Sequence, residues 1–424
     1  MAEGKFNVGG VVLDRPFKIR RLGHFGFNLA NMEAGRRFYV DLLGFKVSDV
    51  MDYSRRATSP EQVAGLGDPN GYFTRYGGDH HAMVLFPKRV RDALGRAEAP
   101  GVTINQITWQ VGSMREVGMA IQWFNEHGIK QQRSGRDMPG SNWHTYLLDP
   151  DGHSNELYYG IEQIGWDGYS KPKSMYDRAF DKPPELPQIS EFDEVEQAKA
   201  KGIDPTTGFR HVDNLPASFD VDGILLPRPF KIVRLGPVYL FADDMAAAEK
   251  FYRQRMGFTL TEEVIWQGHR CLFFRCNTEH HSLALFPTAA RAPLGLSGHS
   301  KNAALGLQLA NYRQLKDAVA FLRGQGVKLV DSTRLSRIKE GPERRAATLR
   351  ENGIDAVNLH HSDWNGGMVA LFHRFDRVAF GWDMQEPHIL QAAWRMGLDG
   401  VFSDWVDRMI EIYRTEIGRP PSQR

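Results

Sequence analysis

Two cysteines are all that the 424 residues contain. Cys271 and Cys276 lie five apart in CLFFRC, which reads as a strand, and an odd separation on a strand sends side chains to opposite faces. They are not expected to chelate a metal together or to pair, and they lend no support to a disulfide-stapled secreted fold. Charge of one sign is scarce as well: 53 Lys and Arg against 51 Asp and Glu leave a formal net charge of +2. Without a basic arm or stripe, the phosphate attraction that drives nucleic-acid binding has no source, so no nucleic acid is expected as a partner. Long apolar runs are missing too. No stretch approaches the roughly 20 apolar residues of a membrane helix, and the opening MAEGKFNVGGVVLDRPFKIRR has no apolar core followed by a small-residue cleavage site. A cytoplasmic protein without a membrane partner is expected.

What is present is core material and repetition. Hydrophobic residues make up 42% and aromatics 11%, enough to fill the two or three cores into which a chain of this length usually divides. Residues 8–23, VGGVVLDRPFKIRRLG, return as VDGILLPRPFKIVRLG at 221–236, with 11 of 16 positions identical at an offset of 213. The correspondence continues: RRFYVDLLGF falls on EKFYRQRMGF at the same offset, and DHHAMVLFP at 79–87 returns as EHHSLALFP at 279–287 at an offset of 200. Residues 161–220, rich in Pro and charge, read as an extended linker over the surface.

Each copy is internally double. RLGHFGFNLA alternates like a strand, NMEAGRRFYVDLLG has helical spacing and stops at Gly44, and FKVSDV, GYFTRYG and HAMVLFP read as strands. The order restarts with the strand TINQITWQV, the helix MREVGMAIQWFNEHG and the strands HTYLLDP and SNELYYG. Four strand-helix-three-strand units are therefore expected near residues 17–90, 101–160, 229–290 and 301–375. Helix periodicity in HILQAAWRMGLDGVFSDWVDRMIEIYRTEIG points to an appended helical pair on the body or on a second subunit. The expected fold is α+β: tandem βαβββ modules in two half-barrel domains, 1–160 and 221–378, the linker 161–220 between them, and a helical tail at 379–424.

The segments LGH…FY…LGF, HHA…LF and YLLDPDGHSNELYYG resemble the vicinal oxygen chelate superfamily, which includes glyoxalases, bleomycin resistance proteins and dioxygenases. Within it the resemblance is greatest to type I extradiol ring-cleaving dioxygenases, and it covers roughly residues 17–160 and 229–375. The resemblance implies paired units closing around one metal. It implies Glu156 as the carboxylate ligand, His24 as the first histidine ligand, His81 as the acid-base residue, and Tyr146 as the phenol that hydrogen-bonds a substrate oxygen. Two positions depart from the family pattern. Gln106 stands where the second histidine ligand is expected, and an amide oxygen is a weaker donor than imidazole. A further expected histidine is missing from RSGRDMPGSNW, and His144, two residues before Tyr146 and so on the same face, is the stand-in.

In the second copy His24 becomes Pro237, Gln106 becomes Ala304 and Glu156 becomes Ala370, at offsets of 213, 198 and 214. Only the histidine pair survives, as His280 and His281. The site is therefore expected in the N-terminal half, with His24, Gln106 and Glu156 as metal ligands and His81, Tyr146 and His144 as catalytic residues. Phe25, Phe27, Trp109 and Tyr158 are candidate apolar walls for substrate, and His153, in the turn DPDGHS, is expected in solvent. The glycines of GLGDPNG and GGMV follow no strand-to-helix placement, so no phosphate loop is expected. The resemblance implies an Fe(II)-dependent, or alternatively Mn(II)-dependent, dioxygenase acting with O2 on a catechol-like aromatic. Its rival is a redox-neutral glyoxalase-like lyase or isomerase using His24, His81, Gln106 and Glu156, and a metal-free binding module is the third possibility. Homo-oligomerisation is expected from the spare half and the helical tail.

Overall fold

A computed structural model describes residues 5–136, 140, 142–165, 167–175, 186–187, 189–291, 300–327, 330–403 and 406–417. The hairpin strands β1 (Phe6–Val8) and β2 (Val11–Leu13) lead into β3 (Ile19–Leu29). Helix α1 (Met32–Arg36) continues as a π turn over Arg37–Leu42, and β4 (Lys46–Asp52), β5 (Asn70–Arg75), β6 (Met83–Pro87) and the short α2 (Lys88–Ala93) follow. The same order then repeats as β7 (Ile104–Val111), α3 (Met114–Glu126), β8 (Gln131–Arg136), β9 (Trp143–Leu148) and β10 (Ser154–Tyr159). Helix α3 forms where apolar spacing dictates. Val117, Ala120 and Phe124 share its buried face, and the Ser113 hydroxyl accepts the Glu116 amide at the N-terminus.

These strands make one eight-stranded sheet in the order β4-β5-β6-β3-β7-β10-β9-β8. Each module pairs its first strand with its last in parallel, β3 with β6 and β7 with β10, and the two first strands join antiparallel.

The stretch expected to be an extended linker is in part helical, α4 (Glu191–Ala200), because Ser190 caps a run with acidic residues in its first turn. Lys171 ties that helix down through Glu191 and Glu194, each at 2.9 Å. Residues 176–185 of the expected linker, including most of its KPPELP, lie outside the described residues. The second copy runs through β11 (Phe219–Val221), β12 (Ile224–Leu226), β13 (Ile232–Ala242), α5 (Met245–Glu249) with a π turn over Lys250–Arg255, β14 (Thr259–Trp266), β15 (His269–Arg275), β16 (Leu283–Pro287) and β17 (Asn302–Leu309). Its sheet has five strands, β14-β15-β16-β13-β17. The fold is thus α+β with tandem βαβββ modules in two sheets, and one hydrophobic core takes residues from both copies, among them Phe17, Trp109, Tyr252 and Phe274. Cys271 and Cys276 are both free thiols.

The fourth module departs from expectation. The chain divides into two compact units, one of residues 1–286 with 304–318 and the other of 287–303 with 319–424. Helix α6 (Tyr312–Gly324) follows β17, but the three remaining strands of a module do not. Instead β18 (Val330–Ser332), α7 (Pro342–Glu351), β19 (Ala356–His360), α8 (Gly366–Arg374), β20 (Val378–Trp382), α9 (Pro387–Arg395) and β21 (Gly400–Val401) alternate, with α10 (Val406–Ile417) at the end. Their strands form a parallel sheet, β18-β19-β20-β21, over a separate core that includes Leu359, Phe372 and Leu390. Parallel neighbours need a helical crossover each, which the helices α7, α8 and α9 supply. Ala370, matched in sequence to Glu156, is therefore in a helix, and α9 is a crossover between strands rather than half of an appended pair. Residues 404–405 and 418–424 of the expected tail lie outside the described residues. No helix among the described residues is long and apolar enough to cross a membrane.

The duplicated RPF segment has a structural use. Arg228, from the second copy, donates to the Asp41 and Val40 carbonyls at 2.6 and 3.1 Å, where the first copy's helix ends at Gly44, φ +83°. Arg15, from the first copy, reaches the Gln254 carbonyl at 3.5 Å, beside the corresponding stop at Gly257, φ +85°. Each copy thus caps the other's helix with a cation at the carbonyl end. Arg228 is the more deeply buried and also pairs with Asp213 at 2.9 Å. Arg228→Ala, which removes a buried cation from Asp213 and its bonds to two carbonyls, is expected to lower the unfolding free energy by about 3 kcal/mol. The more exposed Arg15→Ala should lose less than about 1 kcal/mol. Urea unfolding of the two variants checks the order; equal losses would contradict the asymmetry.

Candidate metal and active site

Strand register assembles one row across the first sheet. His24 on β3 stands opposite Thr108 on β7, Thr108 opposite Glu156 on β10, Glu156 opposite Tyr146 on β9, and Tyr146 opposite Arg133 on β8. Because side chains alternate, Gln106 and His144, two residues from Thr108 and Tyr146, join the same face. That face lines a cavity of about 670 Å³, with His24, His81, Gln106, Asn142, Tyr146 and Arg133 in its wall.

Glu156 is at the centre and fully buried. Its Oε2 accepts from Thr108 Oγ1 at 3.1 Å and Gln106 Nε2 at 3.2 Å, and its Oε1 from Asn142 Nδ2 at 2.7 Å. His24 Nε2 lies 3.2 Å from Oε2, and His144 Nδ1 3.7 Å from Oε1. Burial pushes the carboxyl upward, but the facing His24 imidazole, seconded by His144 and Tyr146, outweighs it and holds Glu156 at about 2. Tyr146 donates its hydroxyl to Gln106 Oε1 at 3.5 Å, and the Arg133 guanidinium lies 4.4 Å over its ring.

His81 follows the turn that leads into β6, its ring 4.3 Å from that of His24. The turn is clamped by main-chain bonds: His80 donates to the Glu162 carbonyl, Glu162 to that of Gly140, each at 2.8 Å, and Ile164 to that of Gly78 at 2.7 Å. Burial, reinforced by the neighbouring His24 and His80, drives the His81 imidazole well below its ordinary value; His80, chiefly by burial, falls to about 3. Both rings are neutral at physiological pH.

The structure brings together His24, Gln106, Glu156, His81, Tyr146 and His144. It does not bring the apolar walls. Trp109, one residue past Thr108, points to the opposite face, donates to Asn155 Oδ1 at 2.9 Å and packs edge-on against Phe258 in the core. Phe25 and Phe27 lie on that core side too, Phe27 stacked on Tyr39 of the helix, because odd and even positions of β3 face opposite ways. Tyr158 shares the face of Glu156 but is covered, its ring 5.0 Å from His24 in a space that exists because residue 23 is glycine; a Cβ there would fall 2.1 Å from the phenol oxygen. The cavity's apolar wall comes instead from Met51, Tyr53, Phe73, Phe86 and Ile104. His153, expected in solvent, is buried and bonded through Nδ1 to Asp149 at 2.9 Å, where Tyr252 of the second copy also donates at 2.7 Å.

Sequence reasoning missed Thr108 and Asn142, which hold the carboxylate. Period-two spacing from Gln106 could have found Thr108; Asn142 sits in an irregular segment with no such signal. Also missed were Arg56, Arg91 and Arg96, which line the cavity with Arg133 and a single acid, Glu98.

The donor set fits a divalent cation. A buried carboxylate is kept ionised, and the facing His24 is buried with Nε2 turned to that carboxylate at 3.2 Å and Nδ1 without a hydrogen bond. The third donor, Gln106, is an amide.

Residues 21–157 and 234–339 match the family model of the Glyoxalase/Bleomycin resistance protein/Dioxygenase superfamily. Among curated proteins, the chain is 30% identical over 146 residues to "Metapyrocatechase 2" of Cupriavidus necator, a stretch that is 34% of this chain and 38% of that one. It is 26% identical over 135 residues to "2,2',3-trihydroxybiphenyl dioxygenase" of Sphingomonas paucimobilis, 30% of this chain and 44% of the relative. The chain thus spans less than half the length of these relatives. Among solved structures, a catechol 2,3-dioxygenase aligns with a TM-score of 0.45 at 18% identity, over 74% of this chain and 78% of that one. The Mn(II)-bound glyoxalase from Novosphingobium aromaticivorans aligns at 0.44 and 14%, over 74% and 73%.

Glu162, beside the clamp, offers a pH test. Burial raises its carboxyl from 4.5 to about 7, against the pull of the Lys171 amide and ammonium. Between those values the folded protein binds the proton that the unfolded chain has released, so stability falls as pH rises, by about 3 kcal/mol across the window. Glu162→Gln should remove this component, its advantage over wild type growing from pH 4.5 to pH 7 in thermal unfolding. An advantage flat across the window would refute the assignment.

Proposed function

The chain belongs to the Glyoxalase/Bleomycin resistance protein/Dioxygenase superfamily, and on that premise we propose that it is a mononuclear, metal-dependent extradiol-type dioxygenase. Its substrate is a catechol-like, dihydroxylated aromatic, opened with O2. The observation that carries the reading is the row His24, Thr108, Glu156, Tyr146, whose His24 and Tyr146 line the cavity with Gln106 and His81 while Glu156 is buried between them. His24, Gln106 and Glu156 would hold Fe(II), or Mn(II) in its place. When bound, the ion supplies open positions at which the two ring oxygens and O2 come together.

The remaining work falls to side chains. His81, neutral and in the cavity wall, accepts a proton from a substrate hydroxyl at one ring nitrogen and returns it to the product. Tyr146 turns its hydroxyl from Gln106 to the developing substrate oxyanion. His144, behind Glu156 and absent from the cavity wall, positions the carboxylate rather than touching substrate. The arginines at the cavity outnumber Glu98, which also pairs with Arg91 at 2.9 Å, so an anionic ring substituent is favoured.

An oxygen electrode on protein reconstituted anaerobically with Fe(II) tests the reading: one O2 should be consumed per ring opened, and Glu156→Ala should lower turnover about 100-fold or more along with retained iron. Turnover without O2 uptake would overturn it in favour of the lyase or isomerase. For the substituent, kcat/KM should be higher for a carboxylated catechol than for catechol itself, and Arg96→Ala should reduce the first roughly tenfold while sparing the second.

A further inference from the structure

The second compact unit holds a cluster that the duplicated modules do not explain. His360 closes β19, His361 follows it, and Asp383 comes directly after β20. The two strands pair in parallel with His360 opposite Trp382. The three side chains therefore meet at the carboxyl edge of neighbouring parallel strands, where sheets of this kind bind ligands. His360 Nε2 is 3.1 Å from Asp383 Oδ2, and the two imidazole rings are 4.2 Å apart. Successive residues within a strand would face opposite sides; here the strand ends at His360 and the chain turns into a short 3-10 segment, His361–Asp363. One ligating atom from each of the three lies within 4.8 Å of the others, and no other group of three His, Cys, Asp or Glu among the described residues converges in this way.

We propose that His360, His361 and Asp383 form a second metal site, which takes a divalent transition-metal ion of the zinc class through two imidazole nitrogens and one carboxylate oxygen. Ligands about 2.1 Å from such an ion stand roughly 3.0 to 3.5 Å apart, so a separation as long as 4.8 Å must shorten by about 1.3 to 1.8 Å, within the reach of side-chain rotation. Two nitrogens and one oxygen suit zinc, cobalt, nickel or iron over calcium or magnesium. Three protein ligands leave positions open to water. The surroundings orient the set: His360 Nδ1 accepts from the Ser362 amide at 3.2 Å and lies 2.8 Å from Ser362 Oγ, which fixes the ring with Nε2 toward Asp383. The Trp382 ring stands edge-on to His360 at 4.6 Å. Asp383 is held at φ +61°, a left-handed conformation few non-glycine residues adopt. The site shares no residue with the cavity in the first sheet and does not depend on the function proposed for it.

The test is a Zn(II) titration by calorimetry on full-length, chelator-treated protein, paralleled by Co(II) absorption in the visible. In a His24→Ala/Glu156→Ala background one equivalent should still bind, and adding His360→Ala or Asp383→Asn should weaken it roughly tenfold or more and abolish the Co(II) bands, with far-UV circular dichroism unchanged. In the otherwise wild-type chain His361→Ala should lose one equivalent, which keeps the test intact if the background variant does not fold. A background variant that folds and binds no ion, or affinity unaffected by His360→Ala and Asp383→Asn, would overturn the site. Failure of the dioxygenase reading would leave this result unchanged.

Discussion

The candidate site depends on how one acid is kept charged away from water. Glu156 has no exposed surface, and an isolated carboxylate in such a place would take up a proton. It does not, because donors from β7 and from the segment before β9, together with imidazoles on β3 and β9, converge on its two oxygens. The eight-stranded register is the device that gathers them. A slip of one residue in either neighbouring strand would turn Thr108 or Tyr146 to the helix-covered side and leave the acid without its partners. Charge, hydrogen bonding and sheet pairing are in this sense a single constraint.

Much of this was legible in the linear sequence, for a physical reason. Alternation along β3, β7, β9 and β10 places His24, Gln106, His144 and Glu156, and the disappearance of His24 and Gln106 from the second copy marks them out from ordinary strand residues. The modules themselves follow from periodicity and from the glycine stops at Gly44 and Gly257. Residue type misleads where it overrides parity. Trp109 and Phe27 are aromatic, but each lies an odd number of residues from a cavity-facing side chain, Gln106 and His24, and so turns to the core. His153 is buried rather than solvated because Asp149, inside the same turn, accepts from it and is itself held by Tyr252 from the second copy, a contact with no local sequence signal. The arginines of the cavity come from separate loops, with no spacing that links them.

The C-terminal unit shows a different limit. A repeat that holds through β13 and, at a shorter offset, β17 invites its own continuation, and an alignment can be continued past the point where the structure stops obeying it. VNLHH and VAFGW are short and buried, as parallel strands covered on both faces are, and the segments between them have helical length. Those cues favour alternating strands and helices over three successive antiparallel strands, against continuation of the repeat.

The crossed arginines bear on how such a duplication ages. Each half lends a guanidinium to its sibling's backbone, so discarding either half would take from the survivor the cation at the end of its helix. The second half carries Pro237 and Ala304 where the first has His24 and Gln106, and its outer histidines, His280 and His281, contact Glu262 and Tyr239. Mutual bracing, once established, turns a redundant gene segment into a permanent one.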